Sequence, residues 1–203
     1  MLVQSLPSVS IELIKYTGTP ILCVFGCLMN DNGKKIKKEM LEWLTTKYDV
    51  VAVNQAYPGK LFEYPAMAFA QYAAKRFNKP ILYIHTKGAF YTTNSLYSQN
   101  NVRELWKNEF ITNYDWYLKS TADVSSPFTG DKDHSTWWNG FVAKPRAWAV
   151  VPEIQFYENR YVYEHLFAGT QVTTAARIFP VNCNTPFEDK MLDYVSKIEV
   201  THE

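Results

Sequence analysis

Three polar residues and a glycine directly follow a short apolar stretch of the chain: His85, Thr86, Lys87 and Gly88 come after residues 81–84. Lys87 could neutralise a phosphate, and His85 could bind a metal ion or a phosphate oxygen. Gly88 would let the backbone approach a ligand closely. A plain exit from a strand with a hydrogen-bonded histidine explains the same pattern, so both interpretations stay open at this point.

A second group of polar and aromatic residues lies between residues 131 and 139. It comprises Asp131, Asp133, His134, Trp137, Trp138 and Asn139. Two carboxylates and a histidine within four residues can hold a divalent ion or supply a catalytic base. Paired indoles beside an amide suit a sugar, whose apolar faces pack on rings while its hydroxyls need hydrogen-bond partners. A charged loop that enters an aromatic core strand is the alternative.

Arg160 and Glu164 form a third group, because residues four apart share one face of an α-helix. As an exposed ion pair they would contribute only about 0.3 to 0.5 kcal/mol to stability. If that face looks into a cleft, Glu164 becomes a candidate catalytic base or a ligand of an acceptor hydroxyl.

The elements that position these groups alternate between strand and helix. Apolar runs predict buried strands at residues 21–28, 50–53 and 81–84, with helices between them at about 36–44 and at 64–77. This alternation indicates an α/β fold with a central, mostly parallel sheet flanked by helices. Ligands of such sheets bind beyond the carboxyl ends of the strands. Asn30, Asp31 and Asn54 therefore join residues 85–88 as candidates.

The second half of the chain carries weaker patterns. Residues 89–101 and 125–134 read as loops, whereas residues 102–118, 157–167 and 187–198 have helical periodicity. Strands are predicted at 136–143 and 178–181.

Length and composition indicate one folded domain over residues 1–203. The chain is 47% hydrophobic and 20% charged, which is ordinary for a globular protein, but it carries 6 Trp, 14 Tyr and 12 Phe. A net charge of +1 argues against nucleic acid as the main partner. Three cysteines without metal-type spacing indicate reduced thiols in a cytoplasmic protein.

The sequence predicts a soluble protein without a membrane span. The start of the chain lacks the cationic region of a signal peptide, and the longest apolar run, residues 20–29, is too short to cross a bilayer. A basic run, Lys34, Lys35, Lys37 and Lys38, reads as the solvated face of a helix. The same run leaves a peripheral contact with a membrane surface open.

Taken together, the groups resemble a known family. Four features follow one another between about residues 81 and 167. They are a strand that ends in His-Thr-Lys-Gly, a helix with Trp106-Lys107, an Asn139-centred aromatic strand that ends in Ala143-Lys144, and Arg160 with Glu164. This order resembles GT-A-type glycosyltransferase-like proteins associated with polysaccharide and surface-glycan synthesis.

The resemblance implies a single GT-A domain, with a nucleotide-binding part at about residues 19–100 and an acceptor part at about residues 101–203. It implies a nucleotide-sugar donor, by analogy a UDP-sugar, and a glycan or glycoprotein acceptor. The nucleotide and diphosphate would be bound by Phe25, Gly26, Asn54, His85, Thr86, Lys87 and Gly88. The sugar or acceptor would be bound by Trp137, Trp138, Asn139 and Arg160, and the catalytic base would be one of Asp131, Asp133 and Glu164.

This sequence departs from the family pattern at two places. His85, Thr86 and Lys87 stand where many such enzymes have an Asp-x-Asp metal motif, and Trp138 stands where relatives tend to have Gly. A divalent cation, Mn²⁺ or Mg²⁺, would then be held by His85, Asp133 and His134. In the alternative, Lys87 replaces the ion as the counter-charge of the diphosphate.

A second functional hypothesis follows from the missing Asp-x-Asp motif. The chain would then be a non-catalytic nucleotide- or glycan-binding module of the same fold. A flavodoxin-like or nucleotide-hydrolysing protein is disfavoured, because neither a P-loop nor a glycine-rich dinucleotide turn follows a strand.

Overall fold

The structure is a computed structural model that describes residues 23–29, 51–58, 63–84, 101, 104–130, 134–136, 140–181 and 187–198. Strands β1 (Cys23–Met29) and β2 (Val51–Pro58) pair in parallel. This confirms the first two predicted strands and their relative direction. The helix predicted at about 36–44 and residues 89–100 of the predicted loop lie outside the described residues, whereas Asn101, predicted to end that loop, is helical.

Helix α1 (Tyr64–Phe77) has the predicted bounds. Proline in its first turn supplies a preset φ, and Asn78 ends it in the left-handed conformation with φ 50°. The Asn78 N–H donates to the carbonyl of Ala74 at 2.9 Å. Its buried face, with Met67 and Ala70 at helical spacing, lets α1 pack closely on its neighbours.

A four-stranded mixed sheet forms the centre of the described fold, in the order β3-β5-β4-β6. Its strands are β3 (Ile81–Tyr83), β4 (Val124–Gly130), β5 (Phe141–Ala143) and β6 (Thr174–Val181). Strand β5 runs antiparallel to both β3 and β4, whereas β4 and β6 are parallel. The α/β character is confirmed, but two of the three pairings are antiparallel because β5 returns between two strands of the other direction.

Several segments differ from the sequence prediction. The loop predicted at 125–134 is wrong for residues 125–130, which continue β4, and β6 begins before the predicted 178. Buried serines suit a strand here because Ser126 Oγ donates to the carbonyl of Gly140 at 2.6 Å. Between 104 and 119 the helix is broken by a π-helical turn, Asn108–Thr112, before α2 (Tyr114–Lys119).

The remaining elements lie in the last third of the chain. Helix α3 (Pro145–Val150) was not expected, and the helix predicted at 157–167 is instead a 3₁₀ turn, Arg160–His165. The terminal helix is confirmed as α4 (Phe187–Ser196). No helix among the described residues combines the length and the apolar character needed to cross a bilayer.

Aromatic side chains fill the core on both faces of the four-stranded sheet. One cluster contains Tyr83 and Phe141, and the other contains Val142 with Leu82 packed against it, because successive strand residues point to opposite faces. The largest fully buried side chains are Trp148, Tyr117, Tyr163, Phe110, Phe128, Phe141 and Phe167. Much of the high aromatic content therefore serves packing.

Candidate functional site

The end of β3 and the start of β5 are neighbours in the sheet. Tyr83 and Phe141 are register partners, and their rings stack with centroids 5.4 Å apart. Ile84 and Gly140, the next described residues, adjoin segments 85–88 and 137–139. His85, Thr86, Lys87, Gly88, Trp137, Trp138 and Asn139 themselves lie outside the described residues. The sheet thus brings together the attachment points of two predicted binding segments.

Residues 134–136 connect the end of β4 to the 3₁₀ turn. The Gly130 N–H donates to the carbonyl of Ser135 at 2.9 Å, and the Thr136 N–H donates to the carbonyl of Glu164 at 2.8 Å. Thr136 also forms a β-bridge with Thr129. The second and third sequence groups, about 30 residues apart in the chain, are therefore in direct contact through their backbones.

His134 is the only proposed metal ligand within the described residues, since His85 and Asp133 lie outside them, as does Asp131. Its backbone is left-handed, with φ 60°, and its Nδ1 lies 3.0 Å from Thr174 Oγ1. A hydrogen bond at one imidazole nitrogen orients the ring for ligation through the other. This local arrangement fits a ligand role, although the described part of the chain contains no group of three side chains that could hold a metal.

Glu164 is buried, with 6% of its surface exposed. The turn that carries it is 3₁₀, with about three residues per turn, so the expectation that Arg160 and Glu164 share one α-helical face is wrong. The side chain of Arg160 lies outside the described residues. The Asn159 side chain accepts from the Tyr161 N–H at 3.1 Å, which fixes the start of this turn.

Ser135 and His165 were not predicted by sequence reasoning. Ser135 Oγ lies 2.7 Å from His165 Nδ1, and Ser135 is fully buried. A buried hydroxyl is not presented to a substrate, so this contact ties segment 134–136 to the 3₁₀ turn. No sequence spacing signals it, because the two residues are 30 positions apart.

The Trp106 indole lies against Gly140 at the start of β5. A Cβ added to Gly140 would lie 2.6 Å from Cη2 of that ring, which is closer than side chains tolerate. The same glycine accepts the Ser126 hydroxyl bond, so its position is fixed from two sides. Trp106 Nε1 and Thr136 Oγ1 are buried and have no hydrogen-bond partner among the described residues. Tight backbone packing thus sets where segment 137–139 meets the sheet.

Three predicted nucleotide-binding residues lie in the first strand pair. Gly26 and Asn54 are register partners, and Phe25 pairs with Val53. The prediction that the second strand ends before Asn54 is wrong, because β2 continues to Pro58 through backbone pairing that tolerates polar side chains. Asn54 is therefore inside the strand and not beyond its carboxyl end. Asn30 and Asp31 lie outside the described residues.

A buried ion pair joins Glu109, in the π-helical turn, to Arg177 in β6. Arg177 binds both carboxylate oxygens of Glu109 through its Nε and Nη2, and the Tyr117 hydroxyl donates to Glu109 Oε2 at 2.8 Å. The bond with Glu109 raises the pKa of Arg177, and burial, with the Glu109 charge, raises the pKa of Tyr117. Since Glu109 is already satisfied by these two partners, the cluster is structural.

The chain matches no protein-family model, no curated protein and no solved structure. The case for a function therefore rests on the arrangement of its own residues.

Proposed function

We propose that the chain is a glycosyltransferase that moves a sugar from a nucleotide diphosphate sugar, most simply a UDP-sugar, to a hydroxyl of a glycan or glycoprotein. The observation that supports this proposal is the pairing of Tyr83 with Phe141. It joins the attachment points of segments 85–88 and 137–139, whose residue types suit a diphosphate and a sugar. The contact between Thr136 and Glu164 adds the third group.

The strand directions at this end of the sheet are also those expected of a ligand site. Strands β3, β4 and β6 finish there, because β5 is antiparallel to β3 and β4, and β4 is parallel to β6. Ligands of α/β sheets bind beyond the carboxyl ends of strands. A diphosphate-binding role for the segment that follows β3 agrees with that rule.

Each group then has a role in the transfer. Lys87, with His85 or with a divalent ion held by His85, Asp133 and His134, compensates the charge of the departing diphosphate. An ion in that position would act as a Lewis acid on the phosphate oxygens. A carboxylate among Asp131, Asp133 and Glu164 accepts the proton of the acceptor hydroxyl. Trp137, Trp138 and Asn139 shape the sugar site.

The burial of Glu164 favours a second candidate, a non-catalytic nucleotide- or glycan-binding module. With 6% of its surface exposed, Glu164 is little accessible to an acceptor hydroxyl, and its backbone carbonyl, which accepts from Thr136, serves the fold without any chemistry. In this case the chain would bind the same ligands and turn none over.

Turnover of a panel of nucleotide sugars, followed as release of the nucleoside diphosphate by mass spectrometry, separates these functions. For the enzyme, one of Asp131→Asn, Asp133→Asn and Glu164→Gln lowers turnover by about 10²- to 10⁴-fold, as expected for a general base. Glu158→Gln, at an exposed position, is the matched control and leaves turnover unchanged. Binding without turnover in the unmodified chain would instead establish the binding module.

A further inference from the structure

The outward face of α1 carries rings and positive charges together. Tyr72, Lys75 and Arg76 follow one another at helical spacing, Lys79 lies just beyond the end of the helix, and all four are exposed. Phe77 beside them is 46% exposed and Tyr72 is 58% exposed. The other face of the same helix is buried in the core. We call these five residues the α1 face.

The charge of the α1 face has one sign. Residues 64–80 contain three cations and no carboxylate. Within the described part of the chain, none of these cations forms an ion pair. Lys75 and Arg76 lie in the last helical turn, where they also interact favourably with the helix dipole. The dipole, however, explains neither the exposed rings nor Lys79, which follows the helix.

The two exposed rings lie among the cations. The Arg76 guanidinium is 6.0 Å from the centroid of the Phe77 ring, and the Tyr72 ring contacts that of Phe69. Aromatic rings settle at the level of lipid headgroups, and long cationic side chains keep their charge at the same level. A surface that offers both anionic groups and an apolar boundary would satisfy every member of the face.

We propose that the α1 face docks on the surface of an anionic lipid bilayer. A polyanion such as nucleic acid fits less well, because the whole chain has a net charge of only +1 and a polyanion lacks the apolar boundary on which Tyr72 and Phe77 could settle. The docking is peripheral and reversible. It is independent of the proposed transferase function, since it rests on a different surface.

Co-sedimentation of the full chain with vesicles tests this docking. We expect binding to phosphatidylcholine vesicles that contain phosphatidylserine, little binding to vesicles of phosphatidylcholine alone, and a loss of binding as salt rises. The triple variant K75Q/R76Q/K79Q weakens binding roughly a hundredfold, because each cation near an anionic surface contributes about fivefold. Tyr72→Ser with Phe77→Ser also weakens binding, including at high salt.

The matched control is K119Q/R146Q/K197Q, which removes the same charges from exposed positions elsewhere. It leaves vesicle binding within about twofold of the unmodified chain if the α1 face is the docking surface. Equal losses in the two triple variants would overturn the proposal, as would the absence of binding to the anionic vesicles. Retention by double-stranded DNA without vesicle binding would overturn it in favour of a polyanion.

Discussion

Glu109 holds two partners that differ in what they contribute to stability. Arg177 neutralises its charge, whereas the uncharged Tyr117 hydroxyl donates a charge-assisted hydrogen bond of 2.8 Å. Burial and the Glu109 carboxylate both raise the pKa of Tyr117 above its ordinary value of about 10. The folded state therefore keeps a proton that the unfolded chain releases at high pH.

Tyr117→Phe is expected to change the alkaline stability of the protein. Because the folded pKa is raised, the stabilisation is complete below about pH 10 and falls by about 1.4 kcal/mol per pH unit above it. The variant loses about 1.5 to 3 kcal/mol of unfolding free energy at pH 8, because the missing hydrogen bond goes to a charged carboxylate. Its disadvantage then shrinks as pH rises. Urea unfolding between about pH 8 and pH 11 measures this difference.

The exposed Tyr72→Phe is the control for this titration and should follow the unmodified chain throughout. A loss of stability in Tyr117→Phe that stays constant up to the highest pH would show that Tyr117 is not the group responsible.

Gly140→Ala is expected to destabilise the protein through one contact. The added methyl would overlap the Trp106 ring, and forcing such an overlap in a packed core costs about 1 to 3 kcal/mol. Trp106→Phe shortens the ring, so the double variant should be more stable than the sum of the single losses predicts. Strict additivity in thermal or urea unfolding would mean that the two residues do not meet.

At the scale of elements, the Gln71 side chain of α1 forms hydrogen bonds with residues 151–154, which follow α3. Gln71 Nε2 donates to the carbonyls of Val151 and Pro152, and its Oε1 accepts from the Ile154 N–H, all within 3.1 Å. Gln71 is buried, so water cannot readily replace it. The single amide of Gln71 thus serves three backbone groups of this segment.

Gln71→Leu should therefore lower the free energy of unfolding, although the replacement puts an apolar side chain at a buried position. The variant leaves one N–H and two carbonyls without their partner, which costs at least about 2 kcal/mol. Hydrogen exchange at the Ile154 N–H should accelerate by the factor that corresponds to this loss of free energy if the segment opens locally. Gln155→Leu, at an exposed position, is the control and should be near neutral. Similar losses in both variants would contradict this role of Gln71.

The sequence was most informative where an element follows local rules. Helix α1 has its predicted bounds because an early proline and Asn78 mark its ends. Strand β4 was missed because Ser125, Ser126 and Pro127 read as a loop. The serine hydroxyl of Ser126 is satisfied by Gly140, a partner that becomes a neighbour only after folding. The 3₁₀ turn at Arg160–His165 was likewise missed, because its residues have spacing that also predicts an α-helix.

The candidate site was predictable only in part for a related reason. Residue types pointed to segments 85–88, 131–139 and 160–164, and the pairing of Tyr83 with Phe141 brings together the described residues that adjoin segments 85–88 and 137–139. The antiparallel register that does so was not predicted, because strands of three residues carry little directional information. The contact of Ser135 with His165 depends on tertiary structure and had no sequence signal.

At the scale of the whole molecule, the proposed function requires that a nucleoside diphosphate binds near the end of β3. Calorimetric titration with UDP, GDP and CMP, each with and without Mn²⁺, measures this directly. We predict saturable heat with at least one diphosphate and a loss of affinity of at least about tenfold in Lys87→Ala, as for a charge-assisted contact to phosphate. Lys119→Ala should bind as the unmodified chain does. The absence of heat with both UDP and GDP, with and without Mn²⁺, would contradict the account.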